Sequence, residues 1–292
     1  MVNRDEIDQA VLAFDRLKMF EHRARRRSQP SFVGIGPGRA GSTSLYKLLR
    51  QHPQVSLPAV KEINYFGFRS RVDARPWGMT FDEYQTYFIG APERAVCGEI
   101  SPSYFILPEA LREIHGWLPQ CKILCGLRHP VDRLVSHYKY HRAQHGFDSF
   151  DAFIGNARQD FAEIDHPRLA HHWFKPVRIL ASSLYARPIA QCLSLFGAAR
   201  VHVYLFEDFV ERPECAAGIQ EFLEVAATPI AVEKINPSPA PDRTLSIGAD
   251  NWRWLLEVFE EDLARARALL GSGLERYARL DDAPARLGFE AS

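Results

Sequence analysis

From residue 31 onward, short apolar runs alternate with longer segments whose apolar residues recur at helical spacing. The apolar runs predict five buried strands, at residues 31–36, 55–57, 95–100, 122–127 and 200–206. The helical spacing predicts helices at residues 42–51, 80–88, 130–141, 184–196, 213–225 and 249–270. Thr80 and Glu83 have the spacing of a capping box, and Pro130 suits the first turn of a helix.

Strands and helices that alternate in this way predict an α/β fold with a parallel β-sheet covered by helices on both faces. Ligands bind such sheets at the carboxyl ends of the strands, so polar residues just after each strand are the candidate functional residues. Residues 142–180 have no clear period. We expect them to form an irregular, polar insertion whose aromatic residues are candidates to cover a ligand-binding site.

The N-terminal segment has a different pattern. Four apolar residues at helical spacing predict an amphipathic helix over residues 5–27, namely Ile7, Val11, Phe14 and Leu17. This helix ends in a run of arginines at 23–27, for which a solvated helix end is the ordinary interpretation. We therefore divide the chain into an N-terminal helix, 1–30, and one domain, 31–292.

Composition narrows the classes of function. The chain has 292 residues, of which 46% are hydrophobic and 25% are charged, as in an ordinary globular protein. Its formal net charge of zero gives no global support to nucleic-acid or membrane-surface binding. Five scattered cysteines, no N-terminal apolar region and no apolar run of ~20 residues favour a cytoplasmic protein with reduced thiols and no membrane span.

The strongest local motif follows the first predicted strand and reads Gly36-Pro37-Gly38-Arg39-Ala40-Gly41-Ser42-Thr43. Its glycine spacing is typical of a loop whose backbone N–H groups surround a phosphate at a helix N-terminus. The lysine of a nucleotide P-loop is missing, since Ser42 stands in its place, and Arg39 is the only cation of the loop. The alternative is a glycine-rich turn that binds no ligand.

The second motif follows the fourth strand. Arg128 comes at the carboxyl end of that strand, on the same edge of the sheet as Arg39, and Ser136 lies two helical turns later. A Mg²⁺-dependent nucleotide hydrolase places an aspartate at such a strand end. Two arginines instead favour a substrate with two separated anionic groups and no metal, although Arg128 taken alone also fits a surface ion pair.

Four blocks in order resemble the sulfotransferases that use 3′-phosphoadenosine 5′-phosphosulfate (PAPS), in the branch of heparan-sulfate-type and bacterial enzymes. The blocks are GPGRAGSTSLYKLL followed by His52-Pro53, KEINYF at 61–66, GEISPSYF at 98–105 and LRHPVDRLVSHY at 127–138. Weaker similarity continues through residues 183–185 and 206–209. The resemblance covers about residues 31–280 and implies a P-loop-like sulfotransferase fold.

The resemblance also implies roles for individual residues. The 5′-phosphosulfate would be surrounded by Arg39, Ala40, Gly41, Ser42, Thr43 and Ser44. Arg128 and Ser136 would bind the 3′-phosphate, Tyr185 would help to hold the nucleotide, and Arg243 is a weaker candidate for a phosphate contact. Glu62 stands at the position of the catalytic base. Most of the family has lysine where Arg39 stands, and an arginine there acts only as an electrostatic clamp or donor.

We therefore expect a metal-independent enzyme that transfers a sulfuryl group from PAPS to a hydroxyl or amine of a carbohydrate, lipid or small molecule. Adenosine 3′,5′-bisphosphate would be the second product. The alternatives are a P-loop kinase or nucleotide hydrolase, and a non-catalytic nucleotide-binding module of the same fold.

Three further features have competing interpretations. Glu99 is expected to have a structural hydrogen-bonding role. His137, His141 and His145 recur every four residues, which predicts that they share one helix face and makes them candidates for a base and, less favourably, for a metal site. The other histidine candidates for the acceptor pocket are His129, His171 and His172.

Overall fold

The computed structural model describes residues 29–67, 79–163, 174–230, 245–271 and 273–291. The predicted helix at 5–27 lies outside these residues, as do Arg243, His171 and His172. The strands, in chain order, are β1 (Phe32–Ile35), β2 (Val55–Ser56), β3 (Val96–Ile100), β4 (Lys122–Leu127), β5 (Val201–Leu205), β6 (Ser246–Ile247) and β7 (Glu290–Ala291).

Twelve α-helices occur in the described residues. The first six are α1 (Ser42–Arg50), α2 (Phe81–Thr86), α3 (Pro108–Trp117), α4 (Pro130–Tyr140), α5 (Arg142–His145) and α6 (Phe150–Gln159). The remaining six are α7 (Pro176–Ala181), α8 (Ala186–Phe196), α9 (Phe206–Glu211), α10 (Pro213–Phe222), α11 (Ala249–Leu270) and α12 (Ala283–Leu287). None of these helices is both long and apolar enough to cross a membrane.

The first five strands form one parallel sheet in the order β2-β3-β1-β4-β5. This confirms the predicted α/β fold and all five predicted sheet strands. β1 occupies the centre, with Val33 opposite both Glu99 of β3 and Ile123 of β4. The loop after β1 therefore lies between the ends of β3 and β4, at the carboxyl edge of the sheet. A second, two-stranded sheet pairs β6 with β7.

Alternating residues of the strands supply apolar side chains to both faces of the sheet. Phe32 and Leu124 face one buried cluster, which includes the apolar side chains of α1, α9 and α10. Val33 and Ile123 face the other cluster, which includes residues of α3, α4, α6, α8 and α11. Because both faces are covered, the central strand β1 is apolar and buried along its whole length.

The structure corrects the prediction for residues 142–180. The described part of this segment is not irregular, since it contains the helices α5, α6 and α7. Ser149 caps α6 by accepting a hydrogen bond from the N–H of Ala152 at 3.1 Å, and Phe150 and Phe153 of α6 are buried core residues. The helix α3 was not predicted from the sequence. In contrast, the predicted capping box of Thr80 and Glu83 is present at the start of α2.

A carboxylate from α11 holds the start of α8. Asp262 accepts hydrogen bonds from the backbone N–H groups of Tyr185 and Ala186, and the N-cap residue of α8 makes no side-chain cap of its own. An anion at a helix N-terminus is stabilised by unpaired N–H groups and by the helix dipole. Burial of the Asp262 carboxyl group has a larger effect on its pKa than these N–H groups have, and it raises the pKa to about 6.

This pKa predicts how stability changes with pH. The folded protein binds the proton of Asp262 more tightly than an unfolded chain does. Protonation of Asp262 therefore stabilises the fold at low pH, and this stabilisation is lost as pH rises through about 6. Relative to Asp262→Asn, the wild type should gain on the order of 1 kcal/mol of unfolding free energy between pH 7.5 and pH 5. Denaturant unfolding at both pH values measures this difference. Asp250→Asn, an exposed change on the same helix, should show no such gain.

Candidate functional site

A cavity of about 650 Å³ opens at the carboxyl edge of the sheet, where β1, β3, β4 and β5 end. Its volume is in the range of small-molecule sites, which is ~300–1,000 Å³. On the side of β1, β4 and α4 it is lined by Pro37, Gly38, Arg39, Gly41, Ser42, Thr43, Ser44, Arg128, Arg133, His137, Tyr140, His141 and Phe206. On the side of β3 and α7 it is lined by Lys61, Glu62, Asn64, Pro102, Ser103, Ile106, Arg178, Ile179 and Ser182.

The glycine-rich loop leads directly into α1. Gly41 is the N-cap residue of that helix and has a left-handed backbone with φ 83°. A Cβ atom on Gly41 would lie 2.2 Å from the Phe206 ring, so the position requires glycine for both reasons. The first turn of α1 contains no acidic residue. An anion in the cavity would therefore meet the N-terminus of α1 without repulsion from that turn.

Arg39 projects from the loop against one face of α4. Its Nε donates a hydrogen bond to Oγ of Ser136 at 3.2 Å, and its Cζ lies 4.3 Å from the centroid of the Tyr140 ring. In the described part of the chain, neither Nη group of Arg39 makes a hydrogen bond. Burial, followed by the charge of Arg128, lowers the pKa of Arg39. The guanidinium of Arg39 is thus contacted on one edge and on one face, and its two Nη groups are available to a ligand.

Arg128 lies at the end of β4, as predicted, and is buried. Its Nη1 donates to the carbonyl oxygen of Arg39 at 3.0 Å, and its Cζ lies 5.3 Å from the centroid of the Phe206 ring. Tyr185 does not line the cavity. Its side chain is fully buried behind Arg128, and its hydroxyl donates to the Arg128 carbonyl at 2.5 Å. Tyr185 therefore supports this wall of the cavity through the backbone of Arg128.

Positive charge dominates the lining of the cavity. Its described residues include five cations and a single carboxylate, and the cations are Arg39, Lys61, Arg128, Arg133 and Arg178. Arg133 is fully buried, which lowers its pKa to about 10, and it donates to the carbonyl of Ile179 at 2.6 Å. Carbonyl partners orient a guanidinium without neutralising it. A cavity with this lining favours an anionic ligand.

The carboxylate of the lining belongs to Glu62, which forms an ion pair with Lys61. Glu62 and Asn64 have left-handed backbones, with φ 64° and 53°, although neither is glycine. Together with Arg39, they are three of the four non-glycine residues with positive φ in the described chain, and all three line the cavity. Conformations of this kind cost ~1–3 kcal/mol each and concentrate at functional sites.

A buried carboxylate below the cavity holds the segment that carries Glu62. Glu99 accepts hydrogen bonds from the hydroxyls of Tyr84, Ser101 and Tyr104, at 2.7, 2.7 and 3.1 Å. Ser101 accepts in turn from the N–H of Asn64, and Tyr104 accepts from the N–H of Tyr65. Burial raises the pKa of Glu99. Glu99 does not line the cavity, so the structural role expected for it is confirmed.

The candidate histidines separate into two groups. His137 and His141 line the cavity, with ring centroids 4.5 Å apart. His129 does not line it, because its ring packs under the C-terminal segment and its Nδ1 lies 2.9 Å from Asp132. The predicted single helix face through His145 is wrong, since α4 ends at Tyr140. The described residues contain no group of three or more potential metal-ligating side chains.

Most of the predicted loop lines the cavity, as do Glu62 and Arg128. Ala40 is buried under the loop, and Ser136 is buried behind Arg39. The structure adds three lining residues for which the sequence predicted no role, Arg133, Tyr140 and Arg178. Arg133 was already inside the fourth block, and Tyr140 lies one helical turn after Ser136. Arg178 had no comparable signal, because its segment showed no pattern.

Comparisons with known proteins agree with this geometry. Residues 30–238 match the family model described as a sulfotransferase domain. The crystal structure of a sulfotransferase from Alicyclobacillus acidocaldarius superposes with a TM-score of 0.67 at 25% sequence identity. That likeness covers 86% of this chain and 100% of the other.

Among curated proteins, heparan sulfate glucosamine 3-O-sulfotransferase 6 of Mus musculus is 28% identical over 204 residues. This match covers 68% of this chain and 53% of the mouse protein. Carbohydrate sulfotransferase 15 of Rattus norvegicus is 28% identical over 233 residues, covering 63% of this chain and 41% of the rat protein. The chain thus spans about half the length, or less, of these relatives.

The glycine requirement of the loop is testable by a matched pair of substitutions. Gly41→Ala places a methyl group against the Phe206 ring in a left-handed backbone, so it should lower the free energy of unfolding by about 2–4 kcal/mol. Gly38→Ala, in the same loop, meets no atom within 4 Å and should change it by less than about 1 kcal/mol. Denaturant unfolding of both variants decides the point, and equal losses would contradict it.

Proposed function

Since the chain belongs to the sulfotransferase domain family, we propose that it transfers a sulfuryl group from PAPS to an acceptor hydroxyl or amine. The observation that carries this proposal is the arrangement of cations around one cavity. Arg39 and the N-terminus of α1 lie at the centre of the sheet edge, and Arg128 lies at the adjoining end of β4. This pair of anion sites suits a nucleotide that carries a 5′-phosphosulfate and a 3′-phosphate.

The charge balance of the lining supports PAPS over a metal-bound triphosphate. Magnesium in nucleotide sites is held by carboxylate or hydroxyl oxygens together with phosphate oxygens. Here an arginine follows β4, and the described lining has one carboxylate, which is paired with Lys61. We propose that the transfer needs no metal, because the arginines supply the positive charge.

The proposed reaction is an in-line transfer. The acceptor oxygen or nitrogen forms a bond to sulfur while the bond between sulfur and the 5′-phosphate oxygen breaks, and adenosine 3′,5′-bisphosphate leaves. The acceptor proton passes to the carboxylate of Glu62, which then has to separate from Lys61. The two Nη groups of Arg39 donate to the oxygens on which charge develops, with the N-terminus of α1 as second donor.

The acceptor is proposed to enter from the β3 side of the cavity. Glu62, Asn64 and Ser103 lie there, and Ser103 donates a hydrogen bond to Oδ1 of Asn64 at 2.5 Å. Arg128 and Phe206 occupy the opposite side, next to β4 and β5. The named relatives act on heparan sulfate and other carbohydrates. For this chain we propose a carbohydrate, lipid or small-molecule acceptor.

Ligand binding tests the choice of donor. Adenosine 3′,5′-bisphosphate should stabilise the protein against unfolding, by ~2.7 kcal/mol at a hundredfold excess over its dissociation constant. The effect should be the same in EDTA, and ATP with Mg²⁺ should stabilise less because it lacks the 3′-phosphate. Thermal unfolding with each ligand is the measurement, followed by sulfate transfer from radiolabelled PAPS to a panel of hydroxyl and amine acceptors. Stronger stabilisation by ATP with Mg²⁺ would favour a kinase or nucleotide hydrolase.

Removal of the proposed base should separate chemistry from binding. Glu62→Gln keeps the size of the side chain but removes the proton acceptor, so turnover should fall ~10²–10⁴-fold. The affinity for adenosine 3′,5′-bisphosphate should stay close to that of the wild type. Steady-state sulfation and titration calorimetry measure the two quantities.

The matched control is Glu109→Gln, which changes an exposed, ion-paired glutamate that does not line the cavity. It should alter neither quantity. If Glu62→Gln turns over at the wild-type rate, Glu62 is not the base, and His137 and His141 are the next residues to test.

A further inference from the structure

Tyr140 has a position that packing alone does not explain. It is the last residue of α4, and its side chain is 63% exposed although it lines the cavity. Large aromatic side chains usually bury most of their surface in a core. The Tyr140 ring instead lies over the guanidinium of Arg39, with 4.3 Å between Cζ and the ring centroid.

The same guanidinium is held from a second direction by the same helix. Ser136 and Tyr140 are four residues apart, so they lie on one face of α4. Ser136 accepts a hydrogen bond from Nε, at the edge of the Arg39 guanidinium. The Tyr140 ring covers the plane of the same guanidinium. The backbone of Arg39 is left-handed, with φ 74°. Its side chain extends from the loop to α4, which supplies both of these contacts.

These two contacts require the shape of arginine. A guanidinium is planar, so one face can stack on a ring while its Nε and its two Nη groups point in different directions. Nε is taken by Ser136, and neither Nη is hydrogen-bonded to a described residue. A lysine has one compact charge that is strongly hydrated and has no plane to stack. The face of α4 thus matches the arginine in the loop.

We propose that Tyr140 is a positioning residue that fixes the guanidinium of Arg39, so that both Nη groups face the transferring sulfuryl group. The inference rests on the proposed function, because Arg39 is the loop cation assigned to that group. It adds that the pair of Arg39 and Tyr140 acts as a unit. The ring contributes by stacking, and its hydroxyl is not required.

A double-mutant cycle, with kcat as the measured quantity, tests whether Arg39 and Tyr140 act together. Tyr140→Leu should reduce kcat by about 2- to 30-fold, the range expected for loss of one cation–π contact. Tyr140→Phe keeps the ring and should retain most of the turnover. In the Arg39→Lys background, Tyr140→Leu should cost less than it does in the wild type. Thermal stability should be unchanged, because the side chain is largely exposed.

Tyr87→Leu is the matched control, since Tyr87 is another partly exposed tyrosine and does not line the cavity. It should leave kcat unchanged. The proposal is overturned if Tyr140→Phe is as slow as Tyr140→Leu, or if Tyr140→Leu costs as much in the Arg39→Lys background as in the wild type. Wild-type turnover in Tyr140→Leu would overturn it as well.

A spectroscopic measurement separates this proposal from the proposed reaction. The Nε–H proton of Arg39, assigned by its loss in Arg39→Lys, should resonate upfield in the ligand-free protein because it lies near the face of an aromatic ring. Tyr140→Phe should keep this shift and Tyr140→Leu should abolish it. An unshifted proton in the wild type contradicts the stacking. A shifted proton in a protein that does not use PAPS would support the stacking and contradict the proposed function.

Discussion

Positive charge that the protein orients but does not neutralise is the constraint around which the site is built. The chain carries no net charge, yet five cationic side chains line one cavity with a single carboxylate among the described residues. Arg128 and Arg133 donate to backbone carbonyls, which set their direction and leave their charge in place. Burial lowers the pKa of Arg133 and of Arg39, because removing these charges from water is unfavourable.

Support for these charges comes from parts of the chain that are distant in sequence. Asp262 on α11 holds the N–H of Tyr185, and the Tyr185 hydroxyl holds the carbonyl of Arg128. Arg128 in turn donates to the carbonyl of Arg39 in the loop after β1. A line of hydrogen bonds therefore connects α11 to the glycine-rich loop after β1. Side chains far from the cavity define the geometry of its cations in this way.

The opposite wall of the cavity depends on strain rather than on charge. Glu62 and Asn64 keep left-handed backbones, and the N–H of Glu62 donates to the carbonyl of Ile100 at the end of β3. Below them, the buried carboxylate of Glu99 holds Ser101 and Tyr104, whose oxygens accept the N–H groups of this segment. The buried carboxylate of Glu99 thus helps to place the carboxylate of Glu62, which stays accessible. The two glutamates have different roles because their surroundings differ.

The sequence alone predicts the parallel sheet, its five strands, the two loops at their carboxyl ends and the capping box of α2. These features depend on short-range patterns, which are visible without knowing the fold. Which cations share the cavity, and which groups hold them, depends on how the helices pack on the sheet. Arg178 comes from a segment without periodicity, and it reaches the site because α7 packs beside α4 and α6. Tyr185 was expected at the nucleotide, but the packing of α8 buries it behind Arg128. The ring of Tyr140 meets Arg39 from a distant part of the chain. Such contacts depend on strand order and helix packing, which no local pattern of residues specifies.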